Sequence, residues 1–155
     1  MSVTLTVNNT PFDYPEQGEQ APWGEAATGW AKEVTNVLNS INGPYDILES
    51  TANILNNQTV FINIPGLVFD VTLVRSFQVV GSIYRTDGII EKAENFTISG
   101  LNPGSSWSMT QEGFGDSEVI LDVEDSTGQV RYKSSNFLGQ TSGLVKFKAT
   151  AIPKT

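Results

Sequence analysis

The chain contains no cysteine and no histidine. Without thiols it gains no stability from disulfides, and its sequence says nothing about the redox state of its compartment. Neither a Ser-His-Asp nor a Cys-His nucleophile can be assembled, and no Cys or His zinc site is possible. Charge is also scarce: 17% of residues are charged against a usual quarter, which suits a surface of Ser, Thr, Asn and Gly on β-structure. Basic residues are the rarer sign, 9 against 17 acids, for a formal net charge of -8. Seven of those acids and a single Lys fall in residues 1–50. An acidic chain gains nothing from counterion release, which argues against a nucleic-acid groove and against docking on anionic membrane. No apolar run approaches the roughly 18–20 residues of a membrane span. The start lacks the basic and apolar regions of a signal peptide, so the expectation is a soluble chain made in a cytosol.

What is present divides into two styles. Trp23, Ala27, Trp30, Val34, Val37 and Ile41 recur at alternating spacings of four and three, and the count continues through Tyr45, Leu48, Ala52 and Leu55 past Gly43-Pro44. That average of about 3.5 keeps a narrow apolar stripe facing a partner helix, as in a coiled coil. Pro22 suits the first helical position, Asn42-Gly43 a stop, and Pro44 the start of a second short helix to about Leu55. A stripe with two Trp and two Ala also suits one helix packed on a sheet of the same chain; both readings stand at this point. Ahead of the stripe, Val3, Leu5 and Val7 alternate with polar residues as a short half-buried strand. The Pro-rich residues 11–22 read as an extended linker, leaving that strand without a neighbour to pair with.

From about Thr59 the pattern becomes β. Val60, Ile62 and Ile64 alternate, and Pro65-Gly66 turns the chain. A long stretch from Leu67 to Arg85 follows, with Phe69, Val71 and Leu73 on one face, Phe77, Val79 and Ile83 on one face later, and Gly81 as a candidate bulge. Its apolar residues on both faces, from Val68 to Ile83, call either for cover by a partner subunit or for a strand buried on both sides. Thr86-Asp87-Gly88 signals a hairpin and Asn102-Pro103-Gly104 a turn. Trp107 to Gln111 reads as a strand broken by Gly113 and Gly115. Val119, Leu121 and Val123 alternate, then Val130 and Tyr132, then Val145, Phe147, Ala149 and Ala151. Turn signals every ~8–12 residues give the rhythm of a sandwich or jelly roll.

Chemistry would have to come from carboxylates, Lys, Tyr or Ser. Asp122, Glu124 and Asp125 form an acidic cluster at a strand end; a Ca²⁺ turn is the sharp reading and a solvated strand face the plain one. Asp116 and Glu118, in a Gly-rich loop after Trp107, are the one carboxylate pair with a nearby aromatic for stacking on a sugar. A polar loop is the plain alternative. Gly113-Phe114-Gly115 lacks the pattern of a phosphate loop, and the sequons at Asn8, Asn57 and Asn95 carry no weight without a secretion signal. Trp23 and Trp30, seven residues apart, read as packing residues rather than ligand-stacking ones.

The strand, then Tyr14-Pro15-Glu16-Gln17-Gly18, then Trp23-Gly24-Glu25-Ala26-Ala27-Thr28-Gly29-Trp30-Ala31 and Val34-Thr35-Asn36-Val37-Leu38, resembles the N-terminal regions of tailed-bacteriophage fibre and decoration proteins. Ile83-Tyr84-Arg85 before its hairpin, Gly128 to Ser135, and Gly143 to Thr150 are similar to their distal domains. The resemblance implies a homotrimer with an attachment segment, a helical bundle and a β-sandwich head, and carries no catalytic residue and no cofactor. At this length it points to a capsid decoration protein or short head fibre rather than a full tail fibre.

The expected fold is therefore mainly β: a jelly-roll-like antiparallel β-sandwich head over residues 58–155, preceded by a short helical coiled-coil segment over 22–57. Residues 1–21 form a strand and extended arm that attaches through Val3, Leu5 and Val7. The expected trimer interface is Trp23, Ala27, Trp30, Val34, Val37, Ile41, Tyr45, Leu48 and Leu55. The expected function is a non-enzymatic virion-surface protein, made in the host cytoplasm, with the major capsid protein or another virion protein as partner. No metal, nucleic acid or membrane insertion is expected. The alternative is a tail-fibre or tail-tip module that binds a receptor or a host-surface glycan.

Overall fold

The computed structural model describes residues 3–7, 10–14, 28–35 and 43–154, with 3–7 and 10–14 as backbone alone. The chain divides into two compact units, Met1–Pro44 and Tyr45–Thr155.

In the first unit, β1 (Val3–Val7) pairs antiparallel with β2 (Thr10–Tyr14), in a register that sets Val3 opposite Tyr14, Leu5 opposite Phe12 and Val7 opposite Thr10. This corrects the isolated arm: the strand of Val3, Leu5 and Val7 has a partner within the chain. Pro11 reads as a strand stop because it has no N–H. In a two-stranded ribbon each strand is an edge, and a missing donor on the open side costs nothing. Residues 28–35 form a helix, α1, where the heptad stripe places Trp30 and Val34. Trp30 is 43% exposed and Val34 half-buried. Trp23, Ala27, Val37 and Ile41 lie outside the described residues.

The second unit is an antiparallel β-sandwich. Its strands are β3 (Ile47–Asn53), β4 (Gln58–Val68), β5 (Val74–Thr86), β6 (Glu91–Leu101), β7 (Ser108–Gly115), β8 (Val119–Val123), β9 (Gln129–Ser134) and β10 (Ser142–Pro153). One sheet has the order β3-β10-β5-β6-β7 and the other β4-β9-β8. The first strand of the sandwich pairs with the last, and the second with the second-last, the interleaving of a jelly roll. The middle departs from it, since β5, β6 and β7 run on as a meander.

The sandwich begins at Ile47, so the second helix expected over Pro44 to Leu55 is replaced by β3. Tyr45 packs against the sandwich core instead of a helical seam, while Leu48 and Leu55 are exposed beside it. Gly43-Pro44 interrupts the helical pattern, and Ser50, Thr51 and Asn53 are weak helix formers. The β10 edge offers unpaired backbone groups from Leu144 to Ala149, and β3 takes them. The long stretch after Leu67 is likewise two strands. It breaks at Asp70, whose carboxylate accepts from Thr72 N and Oγ1, and β5 starts afresh at Val74.

Alternation then builds the core. Phe77, Val79 and Ile83 of β5 meet Phe96 and Ile98 of β6 and Val145, Phe147, Ala149 and Ala151 of β10. Across from them lie Ile64, Leu67, Val119, Leu121, Val123, Val130 and Tyr132. Gly81 is not a bulge. It pairs in register with Phe96, whose ring occupies the space a side chain there would need. Gly100 does the same for Phe77. Phe77 also stacks on Phe69, centroids 3.9 Å apart, and tilts against Trp107 at 4.9 Å. β7 continues through Gly113 to Gly115 rather than breaking there.

Candidate functional site

The two ends of the sandwich are built differently. Asp46 Oδ1 accepts a hydrogen bond from Ala151 N, and Lys154 N donates to Leu73 O. The chain therefore enters and leaves this unit at one end. Buried Asn102 knits that end, donating from Nδ2 to Val71 O and Val74 O.

The opposite end carries neither connection. Four loops meet there, 54–57, 87–90, 116–118 and 135–141, and Arg85 lies beneath them. The period of β5 that turns Phe77, Val79 and Ile83 inward also turns Arg85 inward, at the last core position before the hairpin. Arg85 is fully buried. Its Nε donates to Gln140 Oε1, Nη1 to Ser117 O, and Nη2 to Asn56 Oδ1 and Ser135 O, at 2.8–3.0 Å. One planar guanidinium thus fixes three loops at once, with oxygens aimed along its fork. Burial pulls the guanidinium below its ordinary pKa, and nearby Glu118 opposes the shift. The loops also hold one another. Asn56 Oδ1 accepts from Phe137 N, and Gln140 Nε2 donates to Ile54 O. Thr141 N donates to Thr86 O, tying the 135–141 loop to the β5–β6 hairpin. Asn57 and Glu118 both have a φ of 54°, uncommon for a side chain like that of Glu118, and both sit at this end. The loop tips present apolar residues to solvent: Ile89 is 92% exposed and Leu138 85%.

Beside the platform opens a cleft of about 450 Å³ that brings together Glu94, Asp116, Glu118, Lys133 and Ser135. It unites the predicted pair Asp116 and Glu118 with Glu94, which sequence reading missed. Each carboxylate is already engaged. Glu94 accepts from Ser117 Oγ at 2.6 Å, Asp116 from Glu118 N at 2.9 Å, and Glu118 pairs with Lys92 and accepts from Ser135 Oγ. The Lys92 ammonium, then the Ser135 hydroxyl, hold the Glu118 carboxyl below the usual carboxylate range. A glycosidase general acid needs the opposite shift.

The other acidic cluster is spent on Arg131, whose Nε meets Asp122 at 2.7 Å and Nη1 meets Glu124 at 2.9 Å. Arg131 and Lys133 also flank the ring of Phe61, at 4.8 and 4.3 Å from its centroid. Among the described residues, no group of three acids stands ready to hold a metal ion. Phe114 lies on β7 and is 86% exposed.

No protein-family model and no curated protein matches the chain. Among solved structures it is similar to the tailspike protein of Acinetobacter phage vB_ApiP_P1, at 9% identity and a TM-score of 0.44. The match covers 94% of this chain and 26% of that one, so the chain spans about a quarter of the tailspike's length.

Proposed function

We propose that the chain is a non-enzymatic structural protein of a phage virion, a homotrimeric capsid decoration or short head-fibre protein. Its N-terminal unit attaches to the major capsid protein or another virion protein, and its sandwich faces outward. The observation that carries this reading is the polarity of the sandwich: both chain connections leave one end, and the other end is a loop platform locked by Arg85. A carrier on the side of the sandwich where Asp46 begins it leaves that platform free. The sequence resemblance to fibre and decoration proteins agrees, as does the engagement of every carboxylate in the cleft. The same cleft, polar and beside exposed loop tips, favours a second reading: a receptor- or glycan-binding module of a tail.

Gold labelling of an Ile89→Cys variant on intact particles tests position and polarity together. Label on the head surface, away from the shell, is expected. Label at the tail selects the second reading, and label against the shell overturns the polarity. Incubation with host polysaccharide should release no product; release that vanishes with Asp116→Asn overturns the non-enzymatic reading.

A further inference from the structure

The sandwich has two unlike flanks. On one, the edge strands β3 and β4 belong to different sheets, and between them opens a cleft of about 460 Å³. Ala52, Leu55, Ile62, Pro65 and Tyr132 supply the apolar part of its wall. Thr51, Asn53 and Asn63 complete the lining, and buried Tyr132 closes the floor, its hydroxyl oxygen accepting from Leu55 N at 2.9 Å. On the other flank runs β7, an edge strand exposed along almost its whole length and bearing Phe114.

Exposed edges normally carry protection. β3 pairs through a register shift, β4 contains Pro65 and two irregularities, and β8 is five residues long with Asp122 on it. β7 is eight residues long and its one charge is Glu112. It pairs with β6 without a shift and contains neither Pro nor Lys. That edge leaves its outer backbone groups open to another chain, and the ring of Phe114 stands beside them.

The sheet register shows what fits it. One row of paired residues runs Thr51, Lys146, Ser82, Asn95, Phe114, from the cleft flank to the β7 flank. The cleft and the ring therefore sit at the same height along the strands. Another row runs from Lys148 through Val80 and Thr97 to Glu112. It puts a cation near the cleft flank level with an anion on the ring flank. A rotation about an axis parallel to the strands changes no heights. It brings the ring of one copy to the cleft of the next, and Glu112 toward Lys148. Such a head-to-tail contact closes into a ring when the rotation is a third of a turn.

We infer that three heads pack flank to flank about such an axis, each seating Phe114 in the β3/β4 cleft of its neighbour. This rests on the trimer proposed above and names its head contact. Pairing β7 with itself across a two-fold would point one head backwards and separate the chain ends that three joined N-terminal units must keep together.

The cysteine-free chain allows a clean test. Thr51→Cys and Glu112→Cys are introduced together in the full chain and treated with a short bis-maleimide. Within one head the two sites lie four strand spacings apart, roughly 19 Å, too far for the reagent. The expected product is a ladder on a denaturing gel that ends at three chains. Adding Phe114→Ser, at a site too exposed to matter for folding of one head, should cut that product at least tenfold. An undiminished yield with Phe114→Ser, a ladder running past three, or cross-linking by Glu112→Cys alone overturns the contact. Light scattering of the wild type separates the two claims. Three chains without a ladder sink the head contact only; one chain sinks the trimer as well.

Discussion

Arg85 shows how one residue organises an end of the molecule. Its donors are matched by four neutral oxygens rather than by a carboxylate, so the charge is solvated by the protein itself. Replacing it with Met strips Ser117 O and Gln140 Oε1 of their donor and takes one of two donors from Asn56 Oδ1 and Ser135 O. The expected loss is about 3–5 kcal/mol, read from urea unfolding. Lys at this position supplies a point charge without the planar fork, so Arg85→Lys should recover little of it. Carboxylates set the acid limit. Lys92 and Ser135 lower Glu118, Lys146 lowers Glu49, Thr72 lowers Asp70, and the backbone N–H groups of Ile90 and Ile89 lower Asp87. Each folded-state pKa lies below its unfolded value, so in that window the unfolded chain binds more protons. The stabilisation is full above the ordinary carboxylate values and fades as pH falls through the folded ones. With no histidine, no side chain at its ordinary pKa changes charge between about pH 5 and 8. Thermal melts should be flat across that range and fall only under acid; a step near neutrality would contradict the assignment. Arg85 itself was within reach of sequence reading. Extending the alternation of Phe77, Val79 and Ile83 by one period lands on it, yet a charge after an apolar run reads as a strand end. The roles of Glu94 and Ser117 were not readable, because a side chain 23 residues distant fixes each.

At the scale of elements, legibility followed burial. β8, β9 and β10 each bury one face against the core, so their alternation appears in the sequence and survives folding. The heptad count runs through β3, so its residues read as helix. The choice fell to β10, whose free edge lies some ninety residues downstream, and local propensity did not record it. β1 and β2 are hidden for the opposite reason: Pro11 signals a strand end by local rule, and ribbon geometry suspends that rule. The division at Pro44 has a direct consequence. Residues 45–155 contain both sheets, the core and both end clamps. Expressed alone they should fold, with an unfolding midpoint close to that of the full chain. The full chain lacking residues 1–14 should keep its sandwich and lose attachment to particles. If that deletion instead lowers the midpoint by several degrees, the hairpin of Val3, Leu5 and Val7 serves the sandwich rather than a carrier.

At the scale of the whole molecule, the sandwich closes its own core, and among the apolar side chains it leaves exposed are Phe114 on a flank and Ile89 and Leu138 at loop tips. Trp30 is the large apolar side chain that α1 leaves part-exposed, on the stripe whose spacing calls for partner helices. Burying such a ring contributes about 1.5–3 kcal/mol per copy, and three copies would share the gain. In the proposed trimer the heads would add a second, weaker set of contacts through Phe114. Two sets in series make separable predictions. Trp30→Asp places a carboxylate where three stripes would meet and should reduce the mass in solution to one chain, with the far-ultraviolet β signal unchanged. Phe114→Ser should leave three chains together and only loosen the heads. The discriminating measurement is sedimentation of both variants at micromolar concentration beside the wild type. A wild type that sediments as a single chain removes the stalk altogether. A Trp30→Asp variant that stays trimeric moves the work of assembly from the helix to the flanks of the sandwich.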